Sequence, residues 1–296
     1  MPQAPINRKD RLTGWYFTSP ALVMLGLFLL YPIFSSLWMS TQTGKGMNLK
    51  FGGFANFYRL TQDPVFIHAL LNTLTFLVVQ VPIMLFLALV LAVTLNDTKL
   101  WGRSYFRTAI FLPCVTSLVA YSVLFKSMFA VDGVVNSFLE TLHIISSPIP
   151  WLADPFWAKV VIILAITWRW TGYNMIFYLA ALQNIDPSIY EAARIDGIPA
   201  WARFTKITLP ALKPVILFTT VTSTIGTLQL FDEVNNIATL GGPADSTLTL
   251  SLYIYYLSFR FMPSFGYAAT VSYVIVLLVV ILSFLQFLLA RERSST

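Results

Sequence analysis

The sequence predicts an all-α integral membrane protein with six transmembrane helices. Of its 296 residues 57% are apolar and only 11% are charged, against about 25% charged in an ordinary soluble domain. The mean hydropathy of +0.72 agrees. Six apolar runs each reach the roughly 20 residues that a helix needs to cross the bilayer core. A chain of this length has no core able to hide so much apolar surface from water. Soluble globular, disordered, collagen-like and disulfide-scaffold classes are therefore excluded.

The runs are about 16–38, 69–95, 107–128, 158–182, 214–237 and 267–289. The first follows the charged arm Arg8-Lys9-Asp10-Arg11. Its length, with no small-residue cleavage site at a suitable distance, favours a retained span over a signal peptide. Basic residues set the direction of the others. Twelve lie in the N-terminal arm, the 96–107 loop, the 183–213 segment and the tail with Arg291 and Arg293; six lie on the other side. That bias puts both termini and the 183–213 segment in the cytoplasm, and an even number of spans agrees.

The external loops near 41–66, 129–157 and 238–266 are rich in Gly, Pro, Trp and Asp and suit short interfacial helices. Residues 247–259 are apolar but short for a span, and read as an interfacial or re-entrant helix. A seventh span there would move Arg291 and Arg293 outside, against the charge bias. Gly241-Gly242-Pro243 reads as an outer-surface turn.

Chemistry-bearing residues are few. Cys114 is the single cysteine, so a disulfide framework and a cysteine zinc site are both excluded. His68 and His143 stand far apart without an H-E-x-x-H arrangement, and no metal is expected. The net charge of +6 reports orientation, not a nucleic-acid partner. No G-x-x-x-x-G-K-[ST] phosphate loop is present, so the chain holds no ATP of its own.

Segment 183–213 is unusually polar for so apolar a chain. Asp186-Pro187-Ser188 is a helix start, with Asp186 as cap and Pro187 in the first turn. The helix runs through Glu191, Ala192, Ala193 and Arg194 to Ile195. Gly197 ends it, because glycine accepts the left-handed conformation. A second short helix follows from Ala200 to about Ile207, before Pro210. Small Ala192 and Ala193 leave room for another protein to approach. On these residues alone, a docking element and a plain amphipathic connector stand equal.

The spacing is Glu191-Ala192-Ala193, three residues, Gly197, nine residues, then Ile207-Thr208-Leu209-Pro210. It resembles the EAA loop of bacterial ATP-binding-cassette importer permeases. Asp196, Phe204 and Pro214 resemble the carbohydrate-uptake branch related to the maltose permeases. Asn72-Thr73, Leu112-Pro113, Thr239–Pro243 and Phe265–Ala269 extend the resemblance over almost the whole chain. One departure is the proline before the motif, which follows Ile185-Asp186 and so sits one position late.

The resemblance implies a single permease domain over 1–296 in the bacterial inner membrane. Glu191, Ala192, Ala193, Asp196, Gly197, Leu209 and Pro210 then form the coupling site on a cytoplasmic ATPase. It implies a machine of two permeases, two ATPases that bind ATP and Mg, and an external solute-binding protein that delivers a sugar or oligosaccharide. The short tail after 290 suggests a heterodimer with a second homologous permease. Membrane lipid is the other partner, and no nucleic acid is expected.

The resemblance also places pathway residues in spans three to five. Cys114 and Ser117 are the third-span candidates, Trp170 and Tyr173 the fourth-span ones, and Thr224, Leu228 and Phe231 the fifth-span ones. Trp170, Tyr173 and Phe177 recur on one helix face. For each of them, helix packing is the competing role. Arg169 lies near the centre of the fourth span, where a lone guanidinium costs about 2.5–3.5 kcal/mol unless it faces protein or water. Two roles stand for it: a structural ion pair with Asp232 or Glu233, which the reach of a long arginine favours, or a contact to an anionic sugar. The rival functions are an ion-coupled secondary transporter and a membrane-embedded hydrolase. The first needs ionisable residues spread through its spans, and the second a paired nucleophile and base. Neither pattern is evident.

Overall fold

The computed structural model describes residues 8–46, 48–260 and 262–292. Arg293 of the basic tail lies outside them. Among the described residues five helices are long and apolar enough to cross a membrane, and there are six if one sharply bent pair counts as a single span. The described residues fall into two compact units.

The first unit comprises the residues up to Gln62 together with Tyr255–Tyr273. Helices α1 (Arg8–Leu25) and α2 (Tyr31–Ser40) join through a π turn at Gly26–Leu30. Over Leu12–Ser40 this rod has no buried residue in its apolar window. Strands β1 (Gln42–Lys45) and β2 (Asn48–Phe51) form an antiparallel hairpin, which the sequence reading did not anticipate. Helix α3 (Ala55–Leu60) follows. Asn56 Nδ2 donates to the carbonyls of Ser40 (2.9 Å) and Gln42 (2.7 Å), pairing backbone oxygens where the rod gives way to the hairpin. A side chain at Gly266 would collide with the Gln42 carbonyl, so only glycine permits this approach. The Arg59 guanidinium lies 3.9 Å over the Tyr267 ring.

The second unit spans Asp63–Ile254 and continues from Val274. It holds α4 (Pro64–Asn96), α5 (Arg103–Val115), α6 (Leu118–Met128), α7 (Val134–Thr141), α8 (Pro155–Gln183), α9 (Pro187–Ile195), α10 (Ala200–Arg203), α11 (Leu209–Leu228) and α12 (Asp232–Ile237). Helix α13 (Leu250–Tyr255) runs into a π turn at Tyr256–Arg260, and α14 (Phe265–Glu292) ends the described chain. Helices α4, α8 and α9 share one start: Asp63, Asp154 and Asp186 each accept from backbone N–H groups of the first turn, and a proline occupies the next position.

Three expected segments differ. The run 107–128 is not one rod: α5 and α6 meet at 100°. Pro113 lies inside α5 without an N–H to give, and Thr116 and Ser117 are extended. The run 214–237 breaks after Leu228, and Asp232 starts a separate short helix. The second helix of the 183–213 segment does not stop before Pro210. Ala200–Leu228 is one continuous rod. A π turn at Phe204–Thr208 carries the chain into α11, where the Leu209 N–H bonds Phe204. Pro210, in the next turn, needs no donor of its own. Within the apolar segment 247–259 the chain is α-helical from Leu250 and passes into a π turn at Tyr256.

Packing centres on α4, α8 and α11. Ala88, Ala92, Leu95, Met175, Tyr178, Leu179, Leu182 and Leu212 form one buried cluster. Small residues on α4 let α8 approach closely. The Tyr178 hydroxyl pairs with Thr219 Oγ1 at 2.7 Å. Helix α5 meets α8 at Gly172, where a Cβ would strike the Ile110 carbonyl.

Candidate functional site

Two regions of the second unit carry the expected chemistry. The first is α9 with the turn after it. Asp186 Oδ1 accepts from Ser188 N at 2.9 Å, so the late proline still opens a capped helix. That hydrogen bond holds the Asp186 carboxyl below its usual value. At the other end Ile198 N donates to the Ala193 carbonyl (2.9 Å) and Gly197 N to that of Arg194 (3.1 Å). Gly197 sits at φ +69°. These are the paired bonds of a Schellman cap. The Tyr190 hydroxyl meets Thr208 Oγ1 at 2.8 Å and pins α9 to the π turn.

Glu191, Ala192, Arg194, Asp196 and Gly197 are exposed, as are Leu209 and Pro210. So are Ile195 (86% exposed) and Trp201 (74%). Both are apolar and stand among the charged residues of this segment. Ala193 is the exception. It is buried against its own chain, so its small size serves internal packing, and Ala192 alone keeps the outer face low.

The second region is a cavity of about 540 Å³ between α4, α6, α8, α11 and α12. Of the sequence candidates, Arg169, Trp170, Tyr173 and Phe231 line it. Cys114, Ser117, Thr224 and Leu228 do not: Cys114 is half-buried and Ser117 exposed, both elsewhere. Thr224 accepts from Gln286 Nε2 at 2.8 Å, and Leu228 is fully buried in packing. The aromatic ladder forms as its spacing predicts, with ring centres 5.7 Å apart for Trp170–Tyr173 and 5.0 Å for Tyr173–Phe177. Gln80, Asn174, Thr222, Ser223 and Thr227 also line the cavity. They escaped the sequence reading because single polar residues in apolar helices have no spacing signature. Gln80, Asn174 and Thr227 are buried, and a polar residue within so apolar a span is the signal that would have found them.

Arg169 is buried. The expected ion pair is not formed: among the described residues no carboxylate lies within bonding distance of its guanidinium. Its Nη2 donates instead to the Thr116 carbonyl at 3.3 Å. That oxygen belongs to the extended break between α5 and α6, outside any helical ladder. The guanidinium also lies 5.0 Å from the Tyr121 ring centre. The bend thus presents an acceptor that a straight span would not, and the arginine takes it. Glu233 is also buried and accepts from Trp170 Nε1 at 3.4 Å.

The Gly241-Gly242-Pro243 turn is anchored from within. Gly241 and Gly242 adopt φ +83° and +73°. Asn72 Nδ2 donates to the carbonyls of Asp245 (2.9 Å) and Leu248 (3.0 Å), while Thr73 Oγ1 accepts from Leu250 N (3.0 Å). Two separate sequence signals, Asn72-Thr73 and the glycine turn, are thereby one structural feature. Among the described residues no group of three His, Cys, Asp or Glu is placed to hold a metal ion.

A bundle of apolar helices enclosing a polar, aromatic-lined cavity, with an exposed capped helix outside the rods, defines a transport permease. The chain belongs to the family of binding-protein-dependent transport system inner membrane components, which matches residues 51–294. Within it, the chain is an ABC-importer permease subunit of the carbohydrate-uptake branch and a multi-pass inner-membrane protein. It is 67% identical over 292 residues to the lactose transport system permease protein LacF of Rhizobium radiobacter, covering 98% of each chain. It is 32% identical to the arabinooligosaccharides transport system permease protein AraP of Bacillus subtilis, covering 95% of this chain and 93% of that one. A solved bacterial alginate ABC transporter, in complex with a periplasmic protein bound to an alginate pentasaccharide, superposes with a TM-score of 0.85 at 25% identity. That match covers 98% of this chain and 97% of the other. As a permease subunit, the chain works with a binding protein and leaves ATP hydrolysis to separate ATPase subunits.

Proposed function

We propose that this chain is one half of a heterodimeric permease that moves a disaccharide of the lactose class into the cell by alternating access. All of 1–296 acts as one permease domain with six spans, the bent α5–α6 pair counting as one. Both termini and the 183–213 loop face the cytoplasm. Helix α9 seats in the ATPase through Glu191, Ala192, Asp196 and Gly197, with Leu209 and Pro210 beside it. ATP-driven movement of that helix tilts the rods around the cavity.

The observation that carries the reading is the cavity. Its volume of about 540 Å³ falls within the roughly 300–1,000 Å³ usual for small-molecule sites. Trp170 and Tyr173 offer ring faces to the C–H faces of a sugar, and the amides and hydroxyls around them suit sugar hydroxyls. The 67% identity to a lactose permease supports the sugar class. The twelve-to-six bias of basic residues supports the orientation. Exposed Ile195 and Trp201 beside Glu191 support docking.

The test is co-purification from native membranes, with uptake of labelled lactose into vesicles. An ATPase and a second permease should travel with the unmodified protein. Glu191→Lys should lose the ATPase and the uptake together. A protein that purifies alone and transports without ATP would make it a secondary carrier instead.

A further inference from the structure

We propose that Asp232 and Glu233 make this passage selective for uncharged sugars, with Arg169 held by its own chain and not serving a sugar carboxylate or phosphate. The inference rests on the cavity being the sugar passage. The cavity wall carries one guanidinium, Arg169, and two carboxyl groups, Asp232 and Glu233. An arginine alone in such a space would attract anions. With exposed Asp232 on the same wall, no excess positive charge remains for a sugar anion to meet, and like-charge contact opposes entry.

The exposure of these groups points the same way. Arg169 is 7% exposed and Glu233 6%, and Arg169 Nε and Nη1 have no surface open to the cavity. Asp232 is the exposed ionisable group of the wall. The charge within reach of an entering sugar is therefore acidic. The Trp170 indole N–H, 3.4 Å from Glu233 Oε1, holds that carboxyl group at the edge of the ring on which a sugar would lie.

The test uses the intact permease–ATPase complex in lipid nanodiscs without the binding protein, so that selection by that protein does not enter. Tryptophan fluorescence titrations compare lactose with its analogue bearing a carboxylate at galactose C6. The wild-type complex should prefer lactose by about tenfold or more. Glu233→Gln should narrow that preference about fivefold. Asp232→Asn, at an exposed position, should narrow it too and carries the test if the buried variant fails to assemble. Arg169→Gln should weaken both sugars alike. A preference unchanged in the carboxyl variants while lactose still binds, or an Arg169→Gln change that costs only the uronate, overturns this proposal alone. Failure of the wild-type complex to bind either sugar overturns the cavity as the passage, and this proposal with it.

Discussion

Gly172→Ala sets two effects of opposite sign against each other. Glycine inside a helix costs about 1 kcal/mol relative to alanine, so helix propensity alone forecasts stabilisation. Packing forecasts the reverse. A Cβ at Gly172 would lie 2.7 Å from the Ile110 carbonyl carbon and 2.9 Å from Phe111 Cα, and closer still to the Ile110 oxygen. These are backbone atoms of α5 and have no rotamer to escape into. Overpacking of a dense interior costs about 1–3 kcal/mol, and an unyielding backbone puts this site at the upper end. The net expectation is a loss of about 1–2 kcal/mol. Gly226 is the control: it lies in α11 with nothing within 4 Å of its would-be Cβ. Gly226→Ala should gain up to about 1 kcal/mol. Thermal unfolding of the detergent-solubilised protein, followed by size-exclusion chromatography, measures both. Gly172 also lies one turn beyond Arg169 on α8, so pushing α5 away should loosen the Arg169 bond to Thr116 and lower transport as well. A Gly172→Ala protein at least as stable as wild type would refute the reasoning.

Three further outcomes are expected. Asn72→Leu should strip the Asp245 and Leu248 carbonyls of their buried donor, at about 1–3 kcal/mol for each group left unpaired, and proteolysis within 239–249 should become faster at unchanged α-helical circular dichroism. Tyr178→Phe removes one buried hydrogen bond to Thr219 and should cost about 0.6 kcal/mol, the average for such bonds between membrane helices; a melting temperature within error of wild type is the countervailing result. The Asp186 carboxyl is held below the ordinary value of 3.8 by the Ser188 N–H. Its cap is therefore complete above that value and lost as pH falls through the lower, folded value. Amide protection factors of residues 187–196, taken against intrinsic exchange rates, should fall on acidification below about pH 4, and Asp186→Asn, which still accepts the bond, should abolish that fall.

Class, most of the rods and the start of α9 were legible in the sequence for local reasons. A bilayer demands a run of apolar residues, so composition and run length suffice. The same Asp-Pro pair opens α4 at 63 and α8 at 154, where the sequence reading did not single it out; at 186, where it was read, the start is chemistry between adjacent residues. So are the left-handed turn at Gly197 and the ladder of Trp170, Tyr173 and Phe177, which need only a helical period. What sequence reading missed depends on partners far along the chain. Gln80 and Asn174 become cavity walls only when α4 and α8 lie together. Ala193 turns inward because of what packs beneath α9.

Arg169 shows the division most clearly. Its charge and depth marked it as a residue needing a partner. The partner chosen is a backbone oxygen 53 positions away, exposed by a bend at Pro113 to Ser117 that hydropathy cannot register. Local sequence determines which groups need satisfying, because burial cost belongs to the side chain itself. Only the tertiary structure decides what satisfies them, because that depends on which helices are brought within a few ångströms of one another.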